Sequence, residues 1–172
     1  MNKETTSIRH SKLGELFLNE LRELYGAERH QLTVLPLLKK AASSLKLRNV
    51  LSSHLEDTRE HIHRLDQVFA KLRRVAEALP PEAIFGITRE AEQVIATTPA
   101  GSATRDAGLI VAAQKMQHYE ISAYGSLATY ARTMDEDDIE SLLELTLYEE
   151  KETDELLTAL AENYINAEAS RE

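Results

Sequence analysis

The chain contains no cysteine and no tryptophan among its 172 residues. Without thiolates there is no disulfide, no cysteine nucleophile, no sulfur-based zinc site and no iron–sulfur cluster held by the protein. Glycine and proline are scarce, six and four residues, which argues for long helices rather than a turn-rich β fold. No apolar run approaches the roughly eighteen residues that a membrane span requires. The opening MNKETTSIRHSK is polar and lacks the apolar stretch of a secretory signal, so the expected compartment is the cytoplasm. Basic side chains are also in deficit: 20 Lys and Arg face 29 Asp and Glu, a net charge of −9. That balance disfavours a general binder of nucleic acid or anionic membrane. Surplus acid either solvates a surface or binds cations.

What is present is helical periodicity over one domain's length. Segments 1–12 and 166–172 read as flexible ends around a single domain, 13–165. A first long helix is expected from about Leu13 to Ala42, kinked or broken at Pro36. A second follows the Ser43-Ser44 turn, from about Leu47 to Leu79, and Pro80-Pro81 ends it. A short amphipathic piece, Glu82 to Thr97, precedes Pro99-Ala100-Gly101. A third long helix spans roughly Arg105 to Met134, and the acidic run Asp135 to Asp138 suits the start of a fourth. Short turns inside each pair and about twenty-five residues between the pairs indicate two antiparallel hairpins joined by a long crossover. That is the ferritin-like form of an all-α four-helix bundle.

The last long helix carries a contradiction. Leu143, Leu147, Leu157, Ala161 and Ile165 trace an apolar stripe, and Glu150 and Asp154 sit in the middle of it. A helix turns about 100° per residue, so these acids point where the leucines point. The other helices repeat the pattern. Glu28 lies between Leu21 and Leu35, Glu120 between Ala113 and Leu127, and His61 between His54 and Leu65, with Asp57 at the stripe's edge. The two hairpins echo each other at an offset of 92 to 93 positions, Glu28 with Glu120 and Asp57 and His61 with Glu150 and Asp154. A buried unpaired carboxylate costs several kcal/mol, and five on one level would exceed the roughly 5 to 15 kcal/mol that holds a domain together. Two divalent cations would bring four positive charges to them. Oxygen-rich ligands with one imidazole suit iron or manganese better than copper or thiolate-bound zinc.

The candidate metal ligands are therefore Glu28, Asp57, His61, Glu120, Glu150 and Asp154. His54 is weighed as a supporting histidine, with Tyr25 and Tyr124 packed near the same level. A literal Glu-x-x-His pair, Glu60 and His63, points away from His61 and is read as solvated, as are His10, His30 and His118. Gly26 and Gly125 interrupt helices at a cost of roughly 1 kcal/mol relative to Ala, and are expected to admit a neighbouring backbone. A second apolar edge, Leu142, Leu145, Leu156 and Leu160, points to a two-fold homodimer.

The segments LFLNELRELYGAE, HLEDTREHIHRLDQVF, RDAGLIVAAQKMQHYEISAYGSLATYA and LLELTLYEEKETDELLTALA resemble the YciE/YciF family of bacterial stress-associated proteins. That family lies in the ferritin-like, rubrerythrin-related superfamily, and the likeness covers nearly all of residues 12 to 162. It implies a closed bundle, a candidate dinuclear metal site, a dimer and a link to osmotic or oxidative stress, but no particular reaction. Carried over from the superfamily, Glu28 and Glu120 would bind one metal each, Asp57 and Glu150 would bridge, and His61 and Asp154 would complete the shells. The chain departs from the usual pattern: Glu-x-x-His on the second and fourth helices is replaced by pairs spaced four apart. Two readings stand, a dinuclear iron or manganese protein reacting with peroxide or dioxygen, and a non-enzymatic stress protein working through its dimer surfaces. A storage cage is a third, without support in the sequence.

Overall fold

The computed structural model describes residues 11–172, so residues 1–10 of the expected N-terminal segment lie outside the described residues. Four long helices form the bundle: α1 (Lys12–Ala41), α2 (Leu45–Lys71), α4 (Ala103–Thr133) and α5 (Asp137–Leu160). A shorter helix, α3 (Glu82–Thr97), lies in the crossover and packs on α1 and α4. Helices of 24 to 31 residues are about 36–46 Å long at 1.5 Å per residue. Serine side chains cap three of the starts: Ser11 accepts from the Gly14 amide, Ser44 from Leu47 and Ser102 from Arg105. Each such cap satisfies an amide that the first turn leaves bare and contributes about 1 kcal/mol.

Helices α1 and α2 make one hairpin, α4 and α5 the other, and α1–α4 and α2–α5 contacts close the square. The interior holds two apolar compartments with a polar layer between them. One gathers Leu35, Leu38, Leu51, Leu109, Met116 and Leu157; the other gathers Phe17, Leu21, Leu65, Phe69, Leu127 and Leu143. Along every long helix, buried polar residues fall between the two sets: Glu28 and Gln31, His54 to His61, Gln117 and Glu120, Thr146 to Thr153. The apolar compartments supply the folding energy, at about 25 cal/mol per Å² buried. They also fix the polar layer at mid-depth, out of reach of water.

Several boundaries differ from the sequence expectation. The second helix stops at Lys71, eight residues before Leu79, because Arg73 adopts φ 55. There the Arg74 amide donates to the Phe69 carbonyl and the Arg73 amide to Ala70, the paired bonds of a Schellman stop with arginine in the place glycine usually takes. Asp135 does the same for α4, with φ 57 and bonds from Glu136 to Ala131 and Asp135 to Arg132. It therefore ends α4 rather than starting α5. Helix α1 runs unbroken through Pro36, which is exposed, so the carbonyl its ring leaves without a partner faces solvent.

Gly26 admits a neighbouring backbone: a Cβ there would lie 2.1 Å from the Leu79 carbonyl oxygen. The Leu79 amide donates to the Arg22 carbonyl at 3.0 Å, pinning the crossover to α1. Gly125 does not act this way, since a Cβ there would meet only Leu147 Cδ2 at 3.9 Å. After Leu160 the chain passes through one π turn, Ala161–Ile165, into α6 (Asn166–Ala169). Segment 166–172, expected as a tail, ends with the Glu172 carboxylate accepting from the Ala103 and Thr104 amides at 2.7 and 2.9 Å. No described helix is long and apolar enough to cross a membrane.

Candidate metal centre

Five ligand-type side chains meet in the polar layer: Glu28 from α1, His54 and His61 from α2, Glu120 from α4 and Glu150 from α5, each essentially excluded from solvent. Two groups of three converge, Glu28 with His61 and Glu150, and His54 with Glu120 and Glu150; within each, one donor atom per residue lies within 4.8 Å of the others. Glu150 belongs to both. Each group could hold a metal ion, with one imidazole, one carboxylate of its own and the shared Glu150.

The supporting bonds hold one edge of each ligand. Tyr124 donates its hydroxyl to Glu28 Oε1 at 2.6 Å. The Gln31 amide donates to Glu120 Oε1. The Gln117 amide nitrogen donates to Glu150 Oε2, and its oxygen lies 3.0 and 3.1 Å from the ring nitrogens of His54. His61 Nε2 is 3.0 Å from Glu149 Oε2, and Arg64 grips Glu149 through both guanidinium nitrogens. The ligands also face one another: His61 Nδ1 lies 2.9 Å from Glu150 Oε1 and 3.3 Å from Glu28 Oε1, and His54 Nε2 lies 3.6 Å from Glu150 Oε2.

A specific set of atoms is left over. Glu28 Oε2, His61 Nδ1, Glu120 Oε2, Glu150 Oε1 and Gln31 Oε1 are buried and make no well-directed hydrogen bond. Leaving such a group unsatisfied costs about 1–3 kcal/mol, more when it is charged. Counting Arg22 Nε, four of the six such atoms among the described residues are ligand-type atoms of the two triads. Of these, His61 Nδ1 and Glu150 Oε1 answer each other as an ion pair at 2.9 Å, which leaves the carboxylate oxygens Glu28 Oε2 and Glu120 Oε2 without a partner. By this test the residues fit a pair of divalent cations.

The charge states follow from burial. Burial pushes the Glu120 carboxyl well above its ordinary 4.5, and the nearby Glu150 and Glu28 carboxylates push it further. Burial also opposes charge on His61 and Glu150, but here the ion pairs win. Glu28 and Glu150 lift His61 to about 10, and His54 and His61 hold Glu150 below the ordinary carboxylate range. Without a cation, the charged His61 compensates Glu28 and Glu150, while burial favours the neutral form of Glu120.

Asp57 and Asp154, expected as ligands, stand outside the cluster. Asp57 is half-buried at the edge of α2. Asp154 accepts from Gln114 at 3.0 Å and lies 3.3 Å from His118 Nε2, whose ring is exposed. In their place comes His54, and the reason is register. Glu28 and Glu120 are 92 apart; at that single offset Thr58 matches Glu150 and Thr153 matches His61, all four being buried. Each hairpin thus keeps half of a pair spaced three, threonine filling the other half. An offset of 93 had drawn in the half-exposed aspartates. Tyr25 turns away, donating to Asp66 at 2.8 Å. Glu60 and His63 are exposed, and His30 is half-buried with a ring nitrogen 3.1 Å from Thr88 Oγ1. Glu149, Arg64, Gln31 and Gln117 escaped the sequence reading. The two glutamines had a signal, each lying three residues from an inward glutamate.

Comparison with known proteins agrees with this architecture. Residues 12–170 match a family described as a domain of unknown function, DUF892. Protein YciF of Escherichia coli is 40% identical over 156 residues, covering 90% of this chain and 93% of that protein. The crystal structure of the E. coli stress protein YciF matches with a TM-score of 0.85 at 38% identity, over 91% of this chain and 98% of the other. YcfI, a candidate structural protein of Rhodopseudomonas palustris, matches with a TM-score of 0.82 at 33% identity, over 92% and 97%. A Xanthomonas campestris protein shares the fold at 18% identity, with a TM-score of 0.71 and coverage of 94% and 98%. The bundle fold is that of the E. coli stress protein YciF, and the chain belongs to this DUF892 family.

Proposed function

We propose that this protein is a ferritin-like dinuclear-metal carboxylate protein of a bacterial stress response, holding two iron or manganese ions and reacting with peroxide or dioxygen. The observation that carries the reading is the convergence of buried carboxylate and imidazole donors from Glu28, His54, His61, Glu120 and Glu150 at the centre of the bundle, with Glu28 Oε2 and Glu120 Oε2 left without a partner. Glu28 and His61 would hold one ion, His54 and Glu120 the other, and Glu150 both. Three carboxylates and two imidazoles remain an oxygen-rich set, which favours iron and manganese over softer metals. When bound, such an ion pair supplies electrons to a small oxidant. The chain's own part is to fix the donor geometry, to keep water out with the two apolar compartments, and to hold a hydroxyl proton at Tyr124 beside Glu28.

Against four positive charges the triads offer three carboxylates, so one positive charge is left for a small anion to cancel. The second reading is a structural stress protein in which the layer works without turnover. The description of YcfI as a candidate structural protein favours it, as do the internal bonds that tie one edge of every ligand. Metal analysis of protein purified without chelator separates the two, together with peroxide consumption by wild type and Glu120→Ala. About two ions per chain with consumption lost in the variant supports the first; stable metal-free protein with no consumption supports the second. In either reading the protein works in the cytoplasm as a homodimer. The expected apolar edge is reduced, since Leu160 is buried and Leu142 half-buried, but Leu145, Tyr148 and Leu156 remain 47–60% exposed along α5. Light scattering of Leu145→Glu/Leu156→Glu should show a monomer if that edge is the dimer contact.

A further inference from the structure

The two triads carry the same donor types, yet their surroundings differ. On one side, His54 and Glu120 lean on the neutral amides of Gln117 and Gln31. On the other, His61 leans on a carboxylate: its Nε2 lies 3.0 Å from Glu149 Oε2. Glu149 is itself held rigidly. Arg64 donates to both its oxygens, and the same Arg64 Nη1 donates to buried Thr146 Oγ1 at 3.1 Å. Arg64 and Glu149 are only 16% and 27% exposed, so the pair is a clamp set into the α2–α5 seam rather than a loose surface bridge.

A histidine presents one nitrogen to a metal only if the other is occupied, and a carboxylate on the far N–H fixes both the ring's angle and the atom that is free. We infer that Glu149, clamped by Arg64, is a positioning residue that holds His61 with Nδ1 toward Glu28 and Glu150, making theirs the tighter of the two metal positions. Among the candidate ligands, the Glu149 side chain bonds His61, so its loss falls on that position. The charged bond to His61 is stronger than the amide contact to His54, which sets the order of loading. This inference rests on the dinuclear reading above.

The test is titration of metal-free full-length protein with Mn²⁺, reading free Mn²⁺ by its paramagnetic resonance signal. Wild type should bind in two unequal steps. Glu149→Gln keeps the shape but loses the charge, and should weaken the first step by about 10–100-fold while the second moves by less than about threefold. Arg64→Lys preserves a cation beside Glu149 and should retain more of the first step than Arg64→Met. Thermal unfolding of each metal-free variant confirms that it folds. Equal weakening of both steps, or an unchanged first step in Glu149→Gln, overturns the inference while leaving the metal reading intact. Wild type that binds no Mn²⁺ overturns both.

Discussion

Replacing Glu120 by Gln should have opposite consequences with and without metal. Glu120 is fully buried; its Oε1 accepts from Gln31 and its Oε2 has no partner. In metal-free protein the substitution keeps an acceptor for Gln31, removes a carboxyl from beside Glu28 and Glu150, and introduces N–H donors into a layer short of them. Satisfying such a group is worth about 1–3 kcal/mol. A chain of this length shifts by roughly 2–4 °C per kcal/mol, so the metal-free variant should melt about 2–12 °C above metal-free wild type. The sign with pH follows. The folded carboxyl of Glu120 titrates above its ordinary 4.5, so wild type keeps full parity below that value and falls behind as pH rises through it. With Mn²⁺ at about a hundredfold over its dissociation constant, each intact site adds about 2.7 kcal/mol. The variant has lost a donor at the His54 position, and its metal-induced rise should be about half that of wild type. Differential scanning calorimetry in chelator and in Mn²⁺ reads both quantities. Metal-free wild type melting above the variant, or equal metal-induced rises, would refute the reasoning.

Loading should also release protons. His61, lifted to about 10 by Glu28 and Glu150 against the pull of burial, must lose a proton to bind. Adding Mn²⁺ to weakly buffered metal-free protein near pH 7 should therefore release about one proton per chain from His61, and apparent affinity should rise with pH. Gly26→Ala should cost more than about 2 kcal/mol in urea unfolding, since backbone at 2.1 Å must move, whereas Gly125→Ala should gain up to about 1 kcal/mol. Arg73→Gly should stabilise by about 1 kcal/mol by removing left-handed strain at the end of α2, again read by urea unfolding.

The bundle was legible because its evidence is redundant. Every long helix repeats its apolar stripe for six turns or more, and the short turns and long crossover admit one hairpin arrangement. Helix ends were less legible: Arg73 stops α2 in a left-handed conformation for which arginine is no signal, Asp135 suits both a helix stop and a helix start, and the crossover's anchor at Gly26 became visible only with Leu79 beside it. In the site, Glu28, His61, Glu120 and Glu150 stood out as charge on an apolar meridian. Asp57 and Asp154 lie four positions from His61 and Glu150, about 40° around the helix, and a helical wheel does not separate a half-buried edge from a buried face at that angle. Glu149 was hidden for the related reason that its backbone position belongs to the surface, and only Arg64 turns it inward.

The central claim is that the polar layer is a place for two cations. Anomalous scattering from crystals grown with Mn²⁺ tests it most directly. The account predicts two peaks flanking Glu150, one beside Glu28 and His61 and the other beside Glu120 and His54. A flat map there, with His61 Nδ1 still resting against Glu150 and Glu28, would contradict it.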